Sequence, residues 1–282
     1  MGRPMAMNLR QAGHALWVHA RTPQRASDLL AAGATLAASP KALARAVEAL
    51  FINVSDDAAV EAVLFGPDGA MAGLAAGSVV VDMGTTSPAA TRAFAARLAE
   101  SSVSWLDAPV SGGESGAKAA TLSIMVGGDE AVFSRVLPLF QVMGRNIVHV
   151  GETGAGQVAK ACNQIAVSAT LLGVAEALTF AAKQGVDPVK VRAALLGGSA
   201  YSRILEVHGQ RMLDRDFTPG FRSGLHQKDL GIVLNEAREK NVALPVTSVA
   251  AQLLNALVTA EKGELDSSAL VMIIERLAGV DQ

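Results

Sequence analysis

Residues 151–185, GETGAGQVAKACNQIAVSATLLGVAEALTFAAKQG, decide how this chain is organised. Residues 157–184 read as one helix with apolar or small side chains on nearly every side, which predicts a helix buried all round. Gly185 and the Asp187-Pro188 pair predict where this helix stops and the next begins. Its length would be roughly 40 Å. Glu176 and many small residues favour a buried helix over a membrane span.

Upstream of this helix, short apolar runs alternate with helical patterns. The predicted strands are residues 15–19, 50–54, 78–83, 104–109, 122–128 and 146–151. The predicted helices are residues 5–11, 41–48, 57–64, 88–101 and 130–140. This alternation indicates a parallel, doubly wound sheet. Residues 110–121 leave no room for a helix, so we expect a loop there and an antiparallel edge.

Downstream of residue 150 the sequence contains no convincing strand. Helical patterns follow instead, at residues 189–196, 202–213, 225–240, 246–260 and 269–277. The sequence therefore predicts an α/β domain over residues 1–151 and an all-α domain over residues 152–282.

The composition narrows the class of protein. A net charge of −2 does not indicate the basic surface that nucleic-acid-binding proteins need. The single cysteine, Cys162, excludes an internal disulfide and suits a reducing, cytoplasmic compartment. By its position on the helix, we expect Cys162 to be a small core residue. The N-terminus lacks a signal-peptide pattern. The five histidines share no ligand spacing, so we predict no metal.

The first residues resemble part of a dinucleotide-binding motif. In that motif a strand and a glycine-rich turn precede the first helix, whose N-terminal amides meet the pyrophosphate. Here Gly2 stands where the third glycine would be, and the predicted strand 15–19 follows that helix. We therefore expect the first strand and most of the turn to belong ahead of Met1.

Four segments resemble the signatures of the β-hydroxyacid dehydrogenase family. They are MGRPMAMNLRQAGH (residues 1–14), DAPVSGGESGAKAATLSIMVGG (107–128), GAGQVAKACNQ (154–164) and LHQKDL (225–230). The resemblance covers essentially the whole chain and implies that about ten residues belong ahead of Met1. It implies an NAD(P)-dependent oxidoreductase with an α/β Rossmann-type N-terminal domain. The all-α C-terminal domain would be of the 6-phosphogluconate dehydrogenase type.

The C-terminal signature narrows the expected substrate. The run SRILEVHGQRM…FTPGFRSGLHQKDL…GELDSSAL is similar to the branch of the family that reduces 2-hydroxy-3-oxopropionate to D-glycerate. One alternative is 3-hydroxyisobutyrate or another 3-hydroxy acid as the substrate. A different class of function is also open: a shortened, non-catalytic oligomerisation module. We expect a homodimer or homotetramer, because a partner subunit would cover the long helix. We expect no membrane partner and no nucleic-acid partner.

Lys160 is the predicted catalytic residue. It follows Gly156 by four residues, in the first turns of the long helix. The positive helix N-terminus and burial in a cleft would both lower the pKa of its amine towards the range of an acid–base catalyst. Lys160 could then protonate the alkoxide formed when hydride reaches a carbonyl. Asn163 lies on the same helix face and could hold a substrate hydroxyl.

A glycine turn is the predicted carboxylate site. Ser111, Gly112 and Gly113 follow a predicted strand, and their backbone amides could converge on an anion. The family resemblance assigns this stretch to the substrate carboxylate. Asp107, shortly before it, is expected to fix the loop rather than to act as a catalyst.

The predicted cofactor contacts lie where strands end, because ligands bind at the carboxyl edge of open α/β sheets. Arg21 has no acidic residue beside it, and its guanidinium suits a 2′-phosphate. This favours NADPH, although NADH is possible. The family resemblance implies that Lys228 reaches towards the nicotinamide and the substrate. Asp229 is expected to support that helix or to pair with a neighbour. The cofactor-binding residues we predict are Met1, Gly2, Arg21, Thr22, Val54, Ser55, Thr85 and Lys228.

Overall fold

The computed structural model describes residues 1–280, which form two compact units. The first unit is Met1–Lys160, and the second begins at Ala161. The division falls within one continuous helix, Ala155–Lys183.

The first unit alternates strands and helices, as the sequence predicts. Its eight strands are β1 (Trp17–Val18), β2 (Thr35–Leu36), β3 (Ala49–Ile52), β4 (Val79–Asp82), β5 (Ser104–Asp107), β6 (Val110–Ser111), β7 (Leu122–Gly128) and β8 (Gly144–Gly151). Its helices are α1 (Gly2–Gln11), α2 (Ser27–Ala31), α3 (Pro40–Ala44), α4 (Asp57–Phe65), α5 (Pro88–Ala99), α6 (Gly113–Lys118) and α7 (Glu130–Gln141). Short 3₁₀ segments lie at Pro23–Ala26 and Ala70–Ala72.

Helix starts in this unit follow their capping residues. The side chains of Ser39, Asp56, Ser87 and Asp129 each accept a hydrogen bond from a backbone N–H in the first turn of α3, α4, α5 and α7. Pro88 occupies the first helical position after Ser87, where its missing N–H costs nothing. These caps fix the residue at which each of the four helices begins.

The strands form two separate sheets. The larger has the order β3-β4-β5-β7-β6, with β8 also paired to β7. The pairs β3–β4, β4–β5 and β7–β8 are parallel, whereas β5–β7 and β6–β7 are antiparallel. β4 is buried on both faces, consistent with its run of valines. β1 and β2 form the second sheet, a parallel pair.

The region between β5 and β7 corrects one prediction. Residues 110–121 do contain a helix, α6, together with the short strand β6. The helix has only six residues and two are glycines, so local propensity gave no signal for it. The antiparallel pairing of β5 with β7 is confirmed. However, β7 is not an edge strand, because β6 and β8 both pair with it.

A cavity of about 680 Å³ separates the two sheets within the first unit. It is lined by residues of β1, β3 and α1. The carbonyls of Glu48 and Ile52 accept hydrogen bonds from the β4 side, so the backbone groups of Ala49 and Phe51 face the cavity. The carbonyls of Leu16 and Val18 likewise bond β2. The cavity therefore lies between two parallel strand edges that do not pair with each other.

Helices make up the second unit as described through residue 280. They are the remainder of α8 (Ala155–Lys183), then α9 (Pro188–Leu196), α10 (Arg203–Asp214), α11 (Ser223–Glu239), α12 (Pro245–Leu257) and α13 (Val271–Leu277). A π segment, Val258–Lys262, and a 3₁₀ segment, Ser267–Leu270, lie between the last two helices. One hydrophobic core is shared by α8, α10, α11, α12, α13 and the 3₁₀ segment.

Helix α8 differs from the prediction in its burial. Val158 and Phe180 are 45% and 67% exposed, so one side of the helix is left uncovered within a single chain. Cys162 is also exposed, which corrects its expected place in the core. By length and composition α8 could cross a membrane, and it is the one such helix among residues 1–280.

Candidate active site

Asp107 anchors the start of α8 to the sheet. Its carboxylate accepts hydrogen bonds from the backbone N–H groups of Gly154 (2.8 Å) and Gln157 (3.0 Å). Gly156 fits between, where a Cβ would lie 2.5 Å from the carbonyl oxygens of Asp107 and Met125. Burial raises the pKa of Asp107, while these N–H donors oppose the shift. The residue therefore fixes a helix rather than only a loop, and it holds the turn that leads to Lys160.

Lys160 lies on the second turn of α8 and is only 8% exposed. The structure therefore keeps the predicted proton donor largely out of contact with solvent, and its catalytic role stays a prediction.

The loop after β4 is held by Asp82, a buried carboxylate at the end of that strand. Its two oxygens accept hydrogen bonds from the Gly84 N–H and the Thr86 hydroxyl, both at 2.9 Å. The Thr86 hydroxyl also lies 3.1 Å from that of Thr91 on α5. Burial raises the pKa of Asp82 to about 6, and the charges of Asp107 and Asp57 add to the rise.

Gln157 joins this loop to α8. Its side-chain Nε2 donates to the Gly84 carbonyl (3.1 Å), and its Oε1 accepts from the Thr86 N–H (3.2 Å). Thr85, a predicted cofactor contact, lies between these two residues. Neither Gln157 nor Asp82 was expected from the sequence. The available signal was a polar residue within an otherwise apolar helix or strand.

The start of α1 suits a phosphate group. This helix has no side-chain cap at its N-terminus, and Gly2 packs closely on Asn53, just after β3: a Cβ at Gly2 would lie 3.2 Å from Asn53 Oδ1. Asn53 Nδ2 donates to the Met83 carbonyl at 3.3 Å, which ties the ends of β3 and β4 together. A positive helix end at the carboxyl edge of strands fits the phosphates of a dinucleotide.

The other predicted cofactor residues lie in loops that follow strands. Arg21 and Thr22 come soon after β1 and are exposed. Val54 and Ser55 follow β3, and the Ser55 hydroxyl donates to the Asp56 carboxylate at 2.7 Å. An exposed guanidinium next to a strand end is free of burial costs and suits an anionic ligand.

The predicted carboxylate site lies at the junction of β6 and α6. Ser111 is the last residue of β6 and pairs with Ser123 of β7. Gly112 and Gly113 have φ angles of 134° and 65°, which L side chains rarely adopt. The glycines are therefore required by the backbone of this turn.

In the second unit, Asn163 and Lys228 belong to one hydrogen-bonded chain. Asn163 Nδ2 donates to Gln164 Oε1 (2.8 Å), and Gln164 Nε2 donates to Asp229 Oδ2 (2.7 Å). Lys228 Nζ lies 2.9 Å from Asp229 Oδ1. The expected pairing of Asp229 with a neighbour is confirmed. This chain of contacts joins α8 to α11. Lys228 contacts the Asp229 carboxylate directly, whereas Asn163 is linked to it through Gln164.

Comparisons with known proteins identify both halves of the chain. Residues 1–151 match the family model for the NAD binding domain of 6-phosphogluconate dehydrogenase. Residues 154–274 match the model for the NAD-binding domain of NADP-dependent 3-hydroxyisobutyrate dehydrogenase.

Individual relatives extend over nearly the whole chain. It is 49% identical to 2-hydroxy-3-oxopropionate reductase of Escherichia coli (strain K12), over 99% of this chain and 95% of that protein. It is 36% identical to 2-(hydroxymethyl)glutarate dehydrogenase of Eubacterium barkeri, over 99% and 93%. A crystal structure of 3-hydroxyisobutyrate dehydrogenase from Salmonella typhimurium has a TM-score of 0.88 at 32% identity, over 96% and 95% of the two chains.

Proposed function

The chain belongs to the β-hydroxyacid dehydrogenase family, and we propose that it reduces 2-hydroxy-3-oxopropionate to D-glycerate. It is an NAD(P)-dependent oxidoreductase of the 3-hydroxyacid class. The observation that carries the choice of substrate is the 49% identity with the Escherichia coli reductase along almost all of both chains. A buried Lys160 at the start of α8 supports the chemistry.

Lys160 moves the proton in the proposed reaction. The reduced nicotinamide, when bound, supplies a hydride to the aldehyde carbon. The carbonyl oxygen then carries the negative charge, and the Nζ of protonated Lys160 donates a proton to it. In the reverse direction neutral Lys160 accepts the proton of the alcohol. Asp107 holds the first turn of α8, so it keeps this amine in place.

The remaining predicted residues bind and orient the substrate. The backbone amides of Ser111, Gly112 and Gly113 bind its carboxylate, since consecutive N–H groups in a glycine turn form an anion site. The side-chain amide of Asn163 donates a hydrogen bond to the hydroxyl group of the substrate. The Gln164–Asp229 contacts hold the Asn163 amide in one orientation.

NADPH is the cofactor we propose as preferred. Arg21 is exposed shortly after β1, where a 2′-phosphate would be recognised, and no acidic residue adjoins it in the sequence. The start of α1 and the loop 83–87 would bind the phosphates and the nicotinamide end.

Steady-state kinetics tests the substrate. The purified chain is assayed with NADPH and one of two aldehyde-acids. The first is 2-hydroxy-3-oxopropionate, and the second is the aldehyde-acid formed when the 3-hydroxyl group of 3-hydroxyisobutyrate is oxidised. We expect kcat/KM to be at least about tenfold higher for the first, a difference of about 1.4 kcal/mol. A tenfold preference for the second would instead support a 3-hydroxyisobutyrate dehydrogenase, which the match of residues 154–274 and the Salmonella structure favour.

We also propose that the cavity between β1 and β3 seats one more parallel strand, an extended apolar segment joined to the start of α1. Both strands that border the cavity are parallel members of their sheets, and both turn backbone groups towards it. An inserted strand would satisfy these groups and would lead through a turn to the phosphate-binding end of α1.

An N-terminal extension tests this second proposal. One variant carries an apolar strand and a glycine turn ahead of Met1, and its control carries a Gly/Ser segment of equal length. We expect the strand extension to raise Tm by more than about 5 °C and to tighten NADPH binding measured by fluorescence. Equal values for the two extensions would refute the proposal. No NADPH binding by either would favour a non-catalytic oligomerisation module.

A homodimer or homotetramer is the proposed assembly. The exposed face of α8 supports it. This face carries Val158, Cys162 and Phe180 at helical spacing, and a contiguous, largely apolar exposed surface marks an interaction site.

A further inference from the structure

Gln157 occupies an unusual position between two predicted functional groups. It lies one turn before Lys160 on α8 and is 1% exposed. Its amide is bonded at both ends to the loop after β4, to the Gly84 carbonyl and the Thr86 N–H. These two residues flank Thr85, so a single side chain holds the loop on either side of the predicted cofactor contact.

The loop cannot shift independently of this amide. On its other side, Asp82 bonds the same two residues, through the Gly84 N–H and the Thr86 hydroxyl. Gly84 also approaches the chain after β3 closely, since a Cβ there would lie 2.8 Å from the Val54 carbonyl oxygen. The loop is therefore clamped between β4 and α8.

The helix end of the connection is equally fixed. The Asp107 carboxylate accepts from the Gln157 backbone N–H. Gly127 of β7 packs against the same turn, where a Cβ would lie 2.7 Å from the Gly156 nitrogen. The backbone of Gln157 is thus held by the sheet while its side chain holds the loop.

We propose that Gln157 is a positioning residue that sets the placement of Thr85, and of a nicotinamide bound beside it, relative to the amine of Lys160. The inference rests on the proposed function, in which Thr85 contacts the cofactor and Lys160 supplies the proton. Both reacting partners must be placed to within about 1 Å, because such a misplacement can cost about 100-fold in rate.

Gln157→Met tests the connection, because it keeps the length of the side chain and removes both hydrogen bonds. We expect kcat to fall at least about tenfold and the Kd for NADPH to rise several-fold, with KM for the aldehyde changed less than about twofold. Hydrogen exchange of the Thr86 amide, measured without cofactor, should become faster because its acceptor is lost.

Gln157→Glu provides the conservative rescue. A protonated glutamic acid can donate to the Gly84 carbonyl and accept from the Thr86 N–H, as glutamine does, whereas the ionised form places two oxygens towards a carbonyl. Its kcat relative to the unmodified chain should therefore rise as pH falls. Gln157→Met should show no such recovery.

Gln210→Met is the matched control. Gln210 bonds Asp214 within α10, away from the loop after β4, and its substitution should leave kcat, Kd and exchange unchanged. Unaltered kcat, Kd and Thr86 exchange in Gln157→Met would overturn the proposal, as would a Gln157→Glu variant without pH-dependent recovery. If the unmodified chain reduced neither aldehyde-acid, the proposed function would fail. The Kd and exchange measurements would still decide the role of Gln157.

Discussion

Asp82→Asn should stabilise the protein above pH 6. The Asp82 carboxylate is fully buried and accepts hydrogen bonds from the Gly84 N–H and the Thr86 hydroxyl. Asparagine has the same shape, and its Oδ1 can still accept from Gly84. Its Nδ2 would donate to the Thr86 oxygen, and the Thr86 hydroxyl could then donate to Thr91, which lies 3.1 Å away. The Gly84 N–H and the Thr86 hydroxyl therefore both keep a hydrogen-bond partner.

The magnitude follows from the pKa of Asp82. Burial raises it from 3.8 to about 6, so the folded protein binds a proton more tightly than the unfolded chain does. The contribution of Asp82 to the free energy of unfolding therefore decreases as pH rises from about 4 to about 6, and the loss is complete above that range. The full difference corresponds to about 3 kcal/mol. Asparagine does not ionise and avoids this loss.

Urea unfolding at several pH values between 3.5 and 7.5 measures the effect. The stability of the variant relative to the unmodified chain should increase by about 3 kcal/mol across this range, with most of the change between pH 4 and 6. Asp129→Asn removes the same charge at an exposed helix cap and controls for net charge. A difference between Asp82→Asn and the unmodified chain that stays constant with pH would refute the argument that burial governs this carboxyl group.

Four further substitutions test the site and the assembly. Lys160→Met should lower kcat by at least about 100-fold, because the proton donor is lost. The control Lys118→Met removes an exposed ion pair with Glu114 and should leave kcat unchanged. Near-normal turnover in Lys160→Met would exclude the mechanism. Arg21→Glu should raise KM for NADPH at least about tenfold and KM for NADH much less, and equal effects on both would contradict 2′-phosphate recognition. Asp229→Asn should raise KM for the substrate, because it weakens the support of Asn163 and Lys228, and unchanged kinetics would remove that role. Phe180→Asp should shift the oligomer towards monomer in light scattering if α8 is the interface, and an unchanged mass would exclude Phe180 from it.

Much of the fold could be predicted because its strands are strongly apolar. β4, with its run of valines, and β7 lie where the pattern places them. β2 and β6 were missed because each has only two residues and, unlike β1, neither lies within a run of large apolar residues. Helix α6 forms despite its glycines, since tertiary contacts override propensity in such short segments.

The candidate site, like the fold, could be predicted only in part. Lys160 and Asn163 were predicted from their places after the glycine turn and within the signature GAGQVAKACNQ, whereas Gln157 and Gln164 of the same segment were not. The contact of Gln164 with Asp229 joins residues 65 positions apart, and no local pattern indicates it. The exposure of Cys162 was not predictable from the composition of α8, because an apolar helix can still leave one face uncovered.

That exposed Cys162 has a practical consequence. It is the chain's sole thiol and lies two residues beyond Lys160, on the same exposed face of α8 as Val158. A thiol reagent added to the unmodified protein would therefore react at one place. In the proposed assembly a partner subunit covers this face, so the rate of labelling would report on assembly and dissociation without any engineered residue.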